Sequence, residues 1–163
     1  MKWKPLLFTM ALWAVAASAF AARDIDTQVG QRIKKVRTTA YTYGAEENGV
    51  YANSNAIGAR LKSGKVSSAA ADWSRWPLGT RFRVVETGRE YVVDDTGSAM
   101  VGTNTIDLFK PNGRAMNRWG VRHVTIEILE WGSPEESLEV LQERRKFRHV
   151  REMVTDLLAQ RAN

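Results

Sequence analysis

The sequence contains no cysteine. That excludes a disulfide framework and a lipid-modified N-terminal cysteine. Histidine is almost as scarce: His123 and His149 are the only two, too far apart in sequence to suggest a metal site. No metal and no cofactor is expected. No internal repeat or low-complexity tract interrupts the 163 residues, of which 44% are hydrophobic and 26% charged. The balance suits one globular domain with short extensions and leaves no room for a second full domain.

The longest apolar run, Pro5 to Ala17, falls short of the roughly 20 residues that span a bilayer core. It follows Lys2 and Lys4 and precedes Ala19-Phe20-Ala21, which puts small residues at the two cleavage-site positions of a secretory signal. Residues 1–21 are therefore expected to be removed, leaving no stable membrane anchor and a protein secreted or released into the periplasm. Export makes nucleic acid an improbable partner. The formal charge of +6 would fall to +4 with the loss of Lys2 and Lys4. Much of it lies in Arg144, Arg145, Lys146, Arg148 and Arg151, which fits attraction to anionic polymers or a solvated helix face equally well.

Residues 22–35 are mostly polar and read as a linker. Val36 to Tyr43 is rich in β-branched and aromatic residues and reads as a strand. Residues 44 to 68, with Gly44, Gly49, Gly58 and Gly64 among Asn and Ser, read as a long loop holding at most one hairpin. Pro77-Leu78-Gly79-Thr80 is a turn leading into a strand at Arg81 to Val85, and Gly88 closes a hairpin onto Tyr91 to Val93. A short strand is expected at Thr105 to Phe109 and a helical turn at Arg114 to Trp119. A last strand carries Val124, Ile126 and Ile128 on its buried face. After Gly132 the period becomes helical: Ser133 caps, Pro134 takes the first position and Glu136 completes a capping box. Leu138, Leu141, Val150, Met153, Val154, Leu157 and Leu158 follow as an apolar stripe broken by Arg144 to Lys146. One long helix or two short ones should pack on the barrel or on another copy; the oligomeric state is not legible.

Three aspartates stand at strand ends or in turns: Asp72, Asp95 and Asp107, at spacings of 23 and 12 residues. A carboxyl flanked by apolar neighbours, as Asp107 is by Ile106 and Leu108, is partly desolvated, which raises its pKa and suits it to acid catalysis near neutral pH. Taken singly, Asp72 before a turn is more often a local backbone hydrogen-bonder, and Asp95 before Thr96-Gly97 is more often a turn residue.

Taken together, Thr39-Ala40-Tyr41-Thr42, Ala71-Asp72, Pro77-Leu78-Gly79-Thr80, Val93-Asp94-Asp95-Thr96-Gly97-Ser98-Ala99, Gly102, Ile106-Asp107-Leu108-Phe109 and Trp119-Gly120-Val121-Arg122 resemble the 3D domain, named for three aspartates. The resemblance spans residues 36–131, with 132–163 as a C-terminal helical extension. It implies a mainly β fold, a six-stranded double-psi β-barrel like that of membrane-bound lytic transglycosylase A, the stationary-phase and resuscitation-promoting wall enzymes and, more distantly, expansins. It implies Asp107 as general acid/base, with Asp95 and Asp72 on the other two family aspartates and Asp94 outside the triad. The segment Ser54-Asn55-Ala56-Ile57-Gly58 departs from the Thr-Ala-Ser-Gly-like turn of many relatives.

The implied activity is lytic transglycosylation of peptidoglycan glycan strands between N-acetylmuramic acid and N-acetylglucosamine, giving 1,6-anhydro products, with hydrolysis as another outcome. Thr39, Tyr41, Thr96, Gly97 and Trp73 are the expected substrate contacts. Trp76 shares with Trp73 the choice between a sugar platform and core packing, and packing is favoured for Trp119. The main competing reading is a non-catalytic wall-polysaccharide-binding or loosening module of expansin type. A weaker one takes Asp95-Thr96-Gly97-Ser98 as the active-site turn of a homodimeric aspartic protease, against which stands the charged Asp94 before it.

Overall fold

A computed structural model describes residues 29–43 and 53–162; the expected signal segment and part of the loop after Tyr43 lie outside them. Six strands, β1 (Arg32–Tyr41), β2 (Val66–Ala70), β3 (Arg81–Val84), β4 (Arg89–Asp95), β5 (Ile106–Phe109) and β6 (Arg122–Glu130), close into a barrel in the order β1-β5-β2-β4-β3-β6. The pairs β1/β5 and β2/β4 are parallel and the other four antiparallel. These crossed connections are those of the double-psi barrel. Helix α1 (Gly113–Trp119) links β5 to β6, and α2 (Pro134–Gln142) and α3 (Arg148–Ala162) follow the barrel.

Strand alternation builds the core. Phe82 and Val84 of β3, Tyr91 and Val93 of β4, and Val124, Ile126 and Ile128 of β6 all point inward and are buried. On the outer face Arg83 joins two neighbouring strands, with Nη2 2.9 Å from Glu90 Oε1 and Nη1 3.0 Å from Glu127 Oε2. Such cross-strand pairs add little energy but favour one register.

Two strand boundaries differ from the sequence reading. β1 starts at Arg32, four residues before Val36, so the barrel takes in the end of the expected linker. A bulge lets it do so: Lys35 adopts φ 58°, and the pairing jumps from Ile33 opposite Ile126 to Val36 opposite Val124. Both apolar side chains thus face the core although they stand an odd number of positions apart, with two residues between them. β2 falls largely where a loop was expected. Val66-Ser67-Ser68-Ala69-Ala70 has one β-branched residue and no alternation, because it lies between β4 and β5 and is buried over nearly its whole length.

The C-terminal segment forms two helices that bury Leu138, Leu141, Val150, Met153, Val154 and Leu157 in the same core as the barrel. Full burial of such a side chain contributes about 1.5–3 kcal/mol. Leu158, counted in the apolar stripe, is instead 47% exposed. Ser133 caps α2 by accepting from Glu136 N at 3.0 Å, with Pro134 in the first turn. The buried Ser137 hydroxyl accepts from Leu78 N at 2.8 Å and so ties α2 to the Pro77–Thr80 turn. Among the described residues no helix is long and apolar enough to cross a membrane.

Gly132 makes this docking possible. A Cβ there would lie 2.1 Å from Leu78 O and 2.5 Å from both Pro77 O and Thr80 N, all backbone atoms of one turn. Gly132→Ala is expected to destabilise the protein by about 1–3 kcal/mol, the usual cost of overpacking, read as a lower midpoint in urea unfolding. An unchanged midpoint would show that the two segments separate freely.

Candidate active site

The central strand β2 sets the geometry. Its last residue, Ala70, pairs on one side with Asp95 of β4 and on the other with Asp107 of β5. β4 reaches this register through a bulge: Ala69 pairs with Val93, and Ala70 skips Asp94 to pair with Asp95. The extra residue breaks the strand's alternation and separates the two adjacent carboxyls. Asp94 turns into the protein, where its Oδ2 accepts from Ser68 Oγ at 3.0 Å, while Asp95 stays half-buried at the rim.

β1 supplies the partners. Thr39 pairs in register with Asp107 and donates its hydroxyl to Asp107 Oδ1 at 2.6 Å. Tyr41, two residues on and therefore on the same face, donates its hydroxyl to Asp95 Oδ2 at 2.9 Å. The other oxygen of Asp95 accepts from Ala56 N at 2.8 Å and from its neighbour Thr96 N at 2.9 Å. Thr39, Tyr41, Asp95 and Asp107 thus form one cluster.

Burial raises the pKa of both carboxyls above the ordinary aspartate range. For Asp95 the bonds from Tyr41, Thr96 and Ala56 pull back toward the anion. Asp107 has only the Thr39 hydroxyl and the more distant charge of Arg37 to oppose burial, and the charge of Asp95 adds to its rise. Three donors face Asp95 and one faces Asp107, so burial is opposed by more hydrogen bonds at Asp95. Burial, followed by the Asp95 charge, also raises the Tyr41 phenol well above its normal range, so it remains a donor.

Two expected site residues are corrected. Asp72 is 0% exposed. Its Oδ1 accepts from Ser74 N (2.9 Å) and Ser74 Oγ (2.7 Å), and its Oδ2 accepts from Gly102 N (2.7 Å). It fastens the 72–76 turn to the turn ahead of β5 and cannot touch a substrate. Trp73 is also 0% exposed and donates its indole N–H to the Asp95 carbonyl at 2.9 Å; it holds the strand that carries the carboxyl and presents no face to a sugar. Trp76 is buried too, stacked on Trp131 at 6.0 Å, and Trp119 packs as expected. Thr96 and Gly97 are half-buried beside Asp95, with the Thr96 hydroxyl committed to Ala71 O at 2.7 Å.

The C-terminal segment makes a contribution that no sequence pattern announces. The Arg144 guanidinium donates to the Ala56 carbonyl, while the N–H of the same residue, Ala56, bonds Asp95. A cavity of about 500 Å³ opens beside this contact, lined by Asn55, Ala56, Gly58, Glu143, Arg144 and Phe147. The basic run could be read only as a charged face, because nothing local marks which guanidinium turns inward. Among the described residues no group of three His, Cys, Asp or Glu side chains gathers to hold a metal ion.

Comparison with known proteins places residues 67–130 within the family model of the 3D domain. A cell wall-binding protein of Bacillus subtilis (strain 168), YocH, is 34% identical over 97 residues, 59% of this chain and 33% of that protein. A putative cell wall shaping protein of the same organism, YabE, is 36% identical over 99 residues, 60% of this chain and 23% of that protein. The chain therefore matches a third or less of the length of these relatives.

The raised Asp107 pKa has a consequence for stability. A carboxyl whose folded pKa lies above its unfolded value favours folding fully below the unfolded value, about 3.9 for aspartate, and that contribution is lost as pH rises through the folded pKa. Asp107→Asn keeps an acceptor for Thr39 and removes the charge. It should melt above the parent at pH 7 and together with it below about pH 3.9, as followed by circular dichroism. A variant less stable at pH 7 would mean that the ionised carboxylate is favourably held.

Proposed function

The chain carries a 3D domain over residues 67–130, and from that premise we propose that it is an exported lytic transglycosylase acting on peptidoglycan glycan strands. The observation that carries the reading is the pair of unequal carboxyls flanking Ala70, one held by three donors and the other by one.

In this mechanism Asp107 begins protonated and gives its proton to the glycosidic oxygen between N-acetylmuramic acid and N-acetylglucosamine as the C1–O bond breaks. Asp95, kept ionised, faces the oxocarbenium-like charge that develops. The Asp107 carboxylate then takes the proton from the muramoyl C6 hydroxyl as that oxygen attacks C1, closing a 1,6-anhydro ring and restoring the acid. Thr39 and Tyr41 position the two carboxyls. The half-buried rim at Thr96 and Gly97 contacts the glycan, and Asp72 and Trp73 are positioning residues. Removal of residues 1–21 would deliver the domain to the wall.

A second reading, binding or loosening of wall polysaccharide without cleavage, is favoured by the names of the relatives, one called cell wall-binding and the other cell wall shaping. Both readings share a cell-wall polymer as partner.

Residues 22–163 incubated with purified peptidoglycan, with mass analysis of the released fragments, separate them. The parent should release 1,6-anhydromuramoyl products, and Asp107→Asn should lower that release by about 10²–10⁴-fold. Ordinary reducing ends would mean hydrolysis, and retained binding without release would establish the second reading. Activity should fall as pH rises through the raised pKa of Asp107. Asp95→Asn removes the neighbouring negative charge and so lowers that pKa, which should move the falling limb to lower pH in whatever activity remains.

A further inference from the structure

Lys110 is 5% exposed. Its ammonium donates to the Tyr91 hydroxyl at 2.7 Å and lies 4.2 Å from the Trp119 ring centroid and 5.0 Å from that of Tyr91. Among the described residues no carboxylate lies within ion-pair distance of it. Cation–π contacts contribute about 0.5–2 kcal/mol, whereas removing an ammonium from water costs several kcal/mol. The contacts present leave this buried charge undercompensated.

More cations surround it. Lys110 forms part of the wall of a cavity of about 270 Å³ that is also lined by Arg89, Arg118, Arg122 and Trp119, with no acidic residue in the lining. The three arginines are exposed; Arg122 donates Nε and Nη2 to the carbonyls of Trp119 and Arg118, which leaves Nη1 for a ligand, and its guanidinium carbon lies 4.3 Å from the Trp119 ring centroid. Burial, with the charges of Arg89 and Arg122, pushes the Lys110 ammonium down to about 8, so at neutral pH it is still mostly charged. This cavity is not part of the carboxylate site. Lys110 lies three residues past Asp107, and its partner Tyr91 four residues before Asp95, about 10–13 Å away along the strands.

We propose that this cavity is an anion site for a phosphate group, with Lys110 at its base and Arg89, Arg118 and Arg122 at its rim. A single carboxylate is matched by one guanidinium fork. A phosphate has more charge and more acceptor oxygens, and suits a cavity lined by one ammonium and several guanidinium groups. The cavity is larger than one phosphate and its arginines are open to solvent, so the group it takes is one carried on a longer chain, a phosphodiester polymer. The site does not depend on the transglycosylase reading.

Calorimetric titration of the mature chain at fixed ionic strength tests this, with the ¹⁵N–¹H signal of the Trp119 indole as a site-specific reporter. The probes are inorganic phosphate, poly(glycerol phosphate) and, as a carboxylate control, poly(glutamate). Saturable binding of poly(glycerol phosphate) that shifts the Trp119 signal, tighter per anionic group than poly(glutamate), is expected. Lys110→Met should weaken it roughly 30-fold or more, as for other buried charges deprived of a partner. Arg118→Gln, on the exposed rim, should weaken it less and guards against misfolding of the first variant. Asp107→Asn should bind like the parent, which keeps this test separate from the one for cleavage. Binding of inorganic phosphate alone would overturn the polymer assignment, and equal binding of poly(glutamate) the choice of phosphate. An unmoved Trp119 signal, or unchanged affinity in both the Lys110 and Arg118 variants, would overturn the site.

Discussion

The placement of β2 between β4 and β5 is the constraint on which the site depends. A strand with neighbours on both sides and little exposed surface has room only for small side chains, and Ser67, Ser68, Ala69 and Ala70 meet that demand. Because Ala70 pairs on both flanks, it brings Asp95 and Asp107 to the same level from different strands. The crossed connections of the barrel are what allow two parallel pairs to meet at this rung, so the fold and the chemistry have one geometric origin.

The polar groups at that level are not arranged for maximum stability. Burial raises the pKa of Asp94, Asp95 and Asp107 together, so each ionisation opposes folding. Donors from three separate parts of the chain counter this at Asp95 and Asp107: Thr39 and Tyr41 from β1, Ala56 from the following loop and Thr96 just past the end of β4. They counter it unevenly, three donors at Asp95 against one at Asp107, and the proposed division of labour between the two carboxyls rests on that inequality. A site optimised only for stability would have satisfied both carboxyls or replaced them.

Most of the barrel was legible in the sequence because strands such as β3 and β6 turn one face to the core and the other outward and so alternate, as Val124, Ile126 and Ile128 show. β2 was not, since a strand covered on both sides loses the period that announces it. The start of β1 was missed because the bulge at Lys35 shifts the phase of the alternation. The Asp107 environment could be anticipated from its apolar neighbours. Asp72 and Trp73 could not be sorted by sequence, because a residue that supports a site and one that touches substrate look alike until burial separates them. The reach of Arg144 to Ala56 joins residues 88 positions apart, and no local pattern records such a contact.

Met153 of α3 is fully buried, and its sulfur lies 3.6 Å from the Thr96 hydroxyl, one residue from Asp95. A thioether so placed is shielded from oxidants while the helix is docked. Once converted to the sulfoxide it would be larger and polar, ill-suited to the apolar surface it leaves. Detachment of α3 in an oxidising medium would therefore leave a chemical mark that hinders its return.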